Sequence, residues 1–219
     1  MHTFTEENYL KAIYKLEEQT GDTVINSDLA KALSIHSATV TDMLKKMSQK
    51  KLITYEKSKG FKLTGKGKKI AISIIRRHRL WEVFLVNNLG FGWDEVHDMA
   101  EQLEHVQSED LVNRLDKYLG HPKADPHGDP IPNVNGEFAK SKAIPLSNLP
   151  VGKQGKFSGV IDHSSSFLSY LNKIEFALGD PIRVKSIEEY DNSYTLQLKN
   201  EKEIVVSSKF VNSILVIEI

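Results

Sequence analysis

NSDLAKALSIHSATVTDMLKKMSQKKLITYEKSKGFKLT, residues 26–64, breaks into four short pieces. Residues 26–33 read as a short helix with Asn26 or Ser27 as its cap, and Ser34-Ile35-His36 is a tight break. Residues 37–50 read as a second helix, capped by Ser37, with Val40, Met43, Leu44 and Met47 on one face. Residues 52–56 and 61–64 alternate as two strands around the basic turn Lys57-Ser58-Lys59-Gly60. Upstream, residues 5–19 place Tyr9, Leu10, Ile13, Tyr14 and Leu16 at helical spacing behind a cap expected at Thr5. Gly21-Asp22 ends that helix. Helix, helix, turn, helix, hairpin is the order of a winged helix-turn-helix. The second helix of the motif then presents Ser37, Ala38, Thr39, Thr41, Asp42, Lys45 and Lys46 for reading DNA, and the wing offers Lys57 and Lys59 to the phosphates.

Charge supports a polyanionic partner. The chain is formally neutral, but the neutrality is a cancellation: residues 1–77 carry 15 Lys+Arg against 8 Asp+Glu, and residues 78–142 carry 6 against 12. A basic block coinciding with the DNA-reading motif points to double-stranded DNA. The acidic block holds five of the eight histidines. His97, Glu101, Glu104 and His105 fall within an arc of about 120° if residues 94–105 are helical. His78 and Glu82 form a further pair at i and i+4 on a long helix expected from Thr64 to about Asn88. Imidazole nitrogen and carboxylate oxygen together suit a divalent transition metal. The bland alternative is a solvated acidic face with incidental histidines; the number of donors on one face argues against it. Glu109–Leu119 reads as another amphipathic helix. The middle block carries more apolar helix faces than one small core uses, which points to a homodimer.

The 219 residues contain no cysteine, so thiolate sites and disulfides are excluded and a cytoplasmic location is expected. No apolar run is long enough for a membrane span. Residues 120–150 hold six of the seven prolines and read as loop and linker, with Asp125 and His127 as two further donors beside Pro126. Residues 151–219 turn β-rich, with five short strands and a helix at residues 167–173, as in a small SH3-like barrel. The expected fold is mainly α with a small β domain. Residues 1–73 form the winged helix, 74–142 a helical metal-binding and dimerisation domain, 143–150 a linker and 151–219 the barrel.

The stretches EENYLKAIYKLEE, LAKALSIHSATVTDMLKKM, LTGKGKKIA, RRHRLWEVFLV, VHDMAEQLEHVQSEDLVNRLDKYLG and PHGDPIP cover roughly residues 5–132. They resemble the diphtheria toxin repressor and manganese transport regulator family of metal-activated repressors. The resemblance implies a primary metal site at Asn8, His78, Glu101, Glu104 and His105. It implies a second at Glu82 with Asp125, His127 and His163, which His97 joins in some members. Iron-type members carry Cys where Glu101 stands, and manganese-type members a carboxylate, so Mn²⁺ or Fe²⁺ is the implied cofactor. At Asn8 family members usually carry Met or Asp. Lys11 stands where one manganese-type branch has an acidic ligand, which excludes that branch's two-metal arrangement. The implied function is repression of metal-uptake genes without enzymatic activity or a small-molecule substrate. The competing readings are a dinuclear metallohydrolase with Glu101 or Glu104 as general base, and a winged-helix regulator answering to an organic ligand.

Overall fold

The computed structural model describes residues 2–56 and 59–219. They form two compact units. One comprises the chain through His78, Glu101–Arg114 and Pro132–Glu137; the other comprises Arg79–Ala100, Leu115–Ile131 and Phe138–Ile219. The fold class is mainly helical with a C-terminal sheet.

In the first unit, α1 (Phe4–Thr20) starts two residues earlier than the sequence suggests. Thr3, not Thr5, closes a capping box with Glu6, and Gly21 ends the helix at φ 67°. The helices α2 (Asn26–Ala32) and α3 (Ser37–Gln49) follow. Their expected caps are displaced by one: Ile25 and His36 hold the N-cap positions without a side-chain bond, and Ser37 is already helical. The strands β1 (Ile53–Glu56) and β2 (Gly60–Leu63) pair antiparallel, Ile53 opposite Leu63, and Val24 adds a bridge to Phe61. Leu10, Ile13, Leu29, Val40, Leu44, Met47, Leu52 and Phe61 meet in a core with no exposed surface. Met43 stays half-buried at its edge. Lys57 of the wing lies outside the described residues.

The long helix α4 (Gly65–Leu89) starts against this core. Thr64 Oγ1 accepts the amide of Gly67 at 3.1 Å. A Cβ on Gly67 would sit 2.1 Å from the Leu52 carbonyl oxygen, so this glycine is the close approach that seats α4 on the winged helix. The helices α5 (Val96–Leu103) and α6 (Glu109–Tyr118) follow.

The second unit contains the barrel: β3 (Ile144–Pro145), β4 (Gln154–Val160), α7 (Ser165–Lys173), β5 (Pro181–Ile187), β6 (Tyr194–Gln197), β7 (Glu203–Val206), α8 (Ser208–Asn212) and β8 (Ile214–Glu218). Its six-stranded antiparallel sheet has the order β3-β8-β4-β5-β6-β7. Phe157, Ile182, Val184, Leu196, Phe210, Ile214 and Val216 fill it. The stretch 143–150, expected as a linker, is part of this body. β3 pairs with β8, and Leu146 and Leu149 are buried in the same core. Two residues of strand inside a proline-rich stretch leave no periodic signal to read. Gly128, at φ 89°, presses the loop 125–129 onto β4; a Cβ there would lie 2.1 Å from the Ser158 carbonyl oxygen.

Gly67→Ala is expected to lower unfolding stability despite alanine's better helix propensity. The clash with the Leu52 backbone costs about 1–3 kcal/mol, against a gain of at most about 1 kcal/mol. Urea denaturation checks this, and a variant as stable as the parent would mean that α4 shifts freely.

Candidate metal centres

The first cluster lies in the first unit. The helix α5 ends at Leu103, so Glu104 and His105 stand in a turn and not on a continuous helical face. The turn directs Glu104 inward, where it is fully buried, while Glu101 stays exposed on the last helical turn. From α4, His78 Nδ1 reaches Glu104 Oε2 at 2.7 Å. From α1, Lys11 Nζ lies 2.8 Å from Glu104 Oε2, 2.7 Å from Oε1 and 3.1 Å from Glu101 Oε1. The ammonium therefore contacts both Glu104 oxygens, hydrogen-bonded to Oε2 and ion-paired with Oε1. Burial alone would push the Glu104 carboxyl up; the His78 hydrogen bond and the Lys11 charge outweigh it and hold it below the usual carboxylate value.

Beside it, His105 Nδ1 lies 2.6 Å from Glu7 Oε2, and His105 Nε2 lies 4.0 Å from Glu104 Oε1. A carboxylate on Nδ1 takes the ring proton there and leaves the Nε2 lone pair free for a cation. Glu7 is itself fixed by Arg77 Nη2 at 3.0 Å and Gln107 Nε2 at 2.9 Å. Arg77 Nε also donates to the Glu104 carbonyl, and Phe4 stacks on the His105 ring at 4.6 Å. Asn8 is exposed; the α1 side chains that enter the cluster are Glu7 and Lys11, one turn apart. Sequence reasoning did not single out Glu7. Its signal was the acidic-then-basic pair at i and i+4, which on most helices faces water.

The second cluster lies in the second unit. Glu82 of α4, Asp125 and His127 are all buried, with one donor atom of each within 4.8 Å of the others. An Asx turn shapes the loop: Asp125 Oδ1 accepts the amides of His127 at 2.8 Å and Asp129 at 3.0 Å. His127 Nε2 donates to the Trp93 carbonyl at 2.7 Å, which leaves Nδ1 facing Glu82 Oε1 at 3.7 Å and Asp125 Oδ1 at 4.0 Å. His97 Nδ1 stands 3.3 Å from the same Glu82 oxygen. Arg79 braces the outside, 3.5 Å from Asp125 Oδ2 and 2.9 Å from Asp129 Oδ2. His163 lies one layer out. It touches Asp129 Oδ2 at 3.5 Å, and its ring stands edge-on to His127 at 5.4 Å. Burial first, then the charges of Glu82 and Asp129, push the Asp125 carboxyl up to about 7. Burial opposes protonation of His127, but Glu82 and Asp125 prevail and raise it above its ordinary value. Two carboxylates buried together beside imidazole nitrogen form a donor set whose charge a divalent cation would balance. Both donor sets fit such an ion on the chemistry of their atoms: nitrogen and carboxylate oxygen without sulfur.

On the winged helix, Ser37, Ala38, Thr39, Asp42, Lys45 and Lys46 of α3 are exposed, as is Lys59 in the wing. Thr41 is half-buried, its hydroxyl donating to Ser37 O at 3.0 Å and accepting from Asn26 Nδ2 at 2.9 Å. It is therefore less available than its neighbours. No described helix is long and apolar enough to cross a membrane.

Three family models match in chain order. They are the iron dependent repressor N-terminal DNA binding domain over residues 1–61, the iron dependent repressor metal binding and dimerisation domain over 64–133, and the FeoA domain over 144–218. The iron-dependent repressor IdeR of Mycobacterium leprae is 37% identical over 155 residues, which cover 68% of this chain and 67% of that protein. A manganese-dependent transcriptional repressor in complex with manganese superposes with a TM-score of 0.87 at 32% identity, covering 98% of this chain and 100% of the other. The repressor ScaR with bound Cd²⁺ gives 0.79 at 33%, covering 98% and 99%. Matched along its whole length and in the same domain order, this chain belongs to the family of metal-dependent transcriptional repressors.

Proposed function

We propose that this protein is a Mn²⁺- or Fe²⁺-activated repressor of metal-uptake genes, acting in the cytoplasm as a homodimer on double-stranded operator DNA. The observation that carries this reading is Glu104. A fully buried carboxylate stands between α1 of the winged helix and the imidazoles of His78 and His105, its charge met by the Lys11 ammonium and the His78 ring. His78, Glu101, Glu104 and His105 would hold one ion. Asn8 flanks Lys11 about 60° round α1 and joins them if that helix rolls. Glu82, Asp125 and His127 would hold a second, with His97 beside it and His163 in support. The bound cation supplies the positive charge that lets these carboxylates stay close.

The effect on DNA passes through the chain's own packing. Glu7 ties α1 to the 104–105 turn; α1 packs on α2, and α2 on the reading helix α3. Fixing α1 therefore fixes the pose of Thr39, Lys45 and Lys46, and in a dimer the separation of two such helices. A cation that favours that pose shares it with DNA, so the two bind cooperatively. Leu89 and Tyr118 at the ends of α4 and α6, and Met99 within α5, are exposed and supply apolar surface for self-association. The metallohydrolase reading leaves the matched DNA-binding domain over residues 1–61 without a role.

Band-shift titration with and without Mn²⁺ tests the proposal directly. Glu104→Gln and His105→Ala are each expected to remove the metal-dependent gain in operator affinity, about 5–150-fold for a coupling of this kind. A variant that keeps the parent's response would remove the residue from the site. Thr39→Ala is expected to weaken operator binding by about tenfold while leaving binding to random DNA nearly unchanged; an equal loss on both would reassign Thr39 to the backbone.

The second cluster should be proton-linked. Because Asp125 holds its proton to about 7 in the folded chain, against 3.8 ordinarily, its contribution to the stability of chelator-treated protein is present at pH 4 and declines as pH rises toward 7. An ion must displace that proton, so Mn²⁺ affinity there is expected to climb with pH and level off above about 7. Asp125→Asn should remove this ion's binding, and a pH-independent affinity in the parent would contradict the assignment.

A further inference from the structure

The cluster that would hold the first ion already contains a cation of its own. Lys11 is buried, its side chain only 8% exposed, and its ammonium stands within 2.7–3.1 Å of three carboxylate oxygens on two different residues. A lysine seldom gives up its water unless the charges around it compensate. Here they do: Glu104 is fully buried and Glu101 closes the outer side. Glu104 Oε2 lies 2.7 Å from His78 Nδ1 and Glu104 Oε1 lies 4.0 Å from His105 Nε2, so the ammonium occupies the carboxylate oxygens that these two imidazoles face. An ammonium and a divalent ion cannot share the same carboxylate oxygens at contact distance, because their like charges repel.

We propose that Lys11 is a tethered competitor for the metal. Its ammonium neutralises Glu101 and Glu104 in the metal-free protein, and a divalent cation binds there only by evicting it. The proposal rests on the assignment of Glu101, Glu104 and His105 as ligands made above. Two consequences follow from the geometry. Metal affinity is lowered by the ion pairs that must be broken, which sets the threshold concentration at which the repressor responds. Eviction also releases the central side chain of α1's inward face, so binding alters the attachment of the reading head instead of merely strengthening it.

The experiment uses the full-length chain and Mn²⁺ alone as probe. Lys11→Met keeps the length and helix propensity of the side chain and removes the charge. In chelator it should melt lower than the parent by about 5 °C or more, since a buried carboxylate loses its counter-charge. By electron paramagnetic resonance titration it should bind Mn²⁺ at this site about tenfold tighter or better. Lys11→Arg keeps a cation, should melt like the parent, and should show no such gain. Amine labelling read by mass spectrometry gives an independent measure: in the parent, Lys11 should be protected in chelator and modified once Mn²⁺ is added. Unchanged or weaker Mn²⁺ binding in Lys11→Met, with Lys11 still protected in the presence of Mn²⁺, overturns the proposal. Glu104→Gln separates this from failure of the ligand assignment. If that variant loses one Mn²⁺ while Lys11→Met gains nothing, only the competitor role falls; if it binds as the parent does, the assignment and the competitor role fall together.

Discussion

A carboxylate with no access to water has to find positive charge or give up its own. Glu104 is that carboxylate, and the first unit is arranged around its demand. The turn after α5 points it inward, α4 contributes His78, and α1 contributes Lys11. Arg77 fastens the Glu104 main chain and then reaches Glu7, which orients His105. A DNA-reading module is thereby connected to a charge-sensing point by ionic contacts as well as by packing. That is the kind of connection a change in local charge can rearrange, whereas a close-packed apolar joint would respond only to volume.

The two clusters solve the same electrostatic problem differently. The first is balanced by side chains that belong to it, and its central carboxyl is held ionised. The second is short of positive charge: Glu82 and Asp125 are buried together, Arg79 sits at the margin, and Asp125 retains a proton up to about neutrality. One is neutralised by an ammonium and the other by a proton. The two therefore differ in what a divalent ion displaces on entering, and in how each answers to pH.

Much of this was legible in the sequence, for physical reasons. The winged helix was readable because each element is short, regularly patterned and bounded by a turn residue; the helical spacing of Val40, Leu44 and Met47 is enough to assign the buried face of α3. His78, Glu82, His97, Glu101, Glu104 and His105 stood out as donors by their helical spacing, whereas the grouping of Glu82 with Asp125, His127 and His163 came from resemblance. Their arrangement was less legible. Glu104 and His105 fit a helical arc, yet α5 stops at Leu103, because a pattern of polar residues does not reveal where a helix ends. Asn8 came from resemblance and stands exposed, while Glu7 and Lys11 carry the contact; a charged pair one turn apart looks the same whether it faces water or a buried partner. β3 and α8, at two and five residues, are too short for periodicity to register, and tertiary packing alone stabilises them.

Gly128 leaves no room between the donor loop and strand β4, and the Val160 amide is bonded to the His127 carbonyl at 3.0 Å. The barrel therefore serves as a wall of the second centre and cannot be treated as a detachable appendage. A chimera that exchanged barrels between relatives would have to transplant residues 125–129 with them, because a side chain at position 128 would meet the β4 backbone.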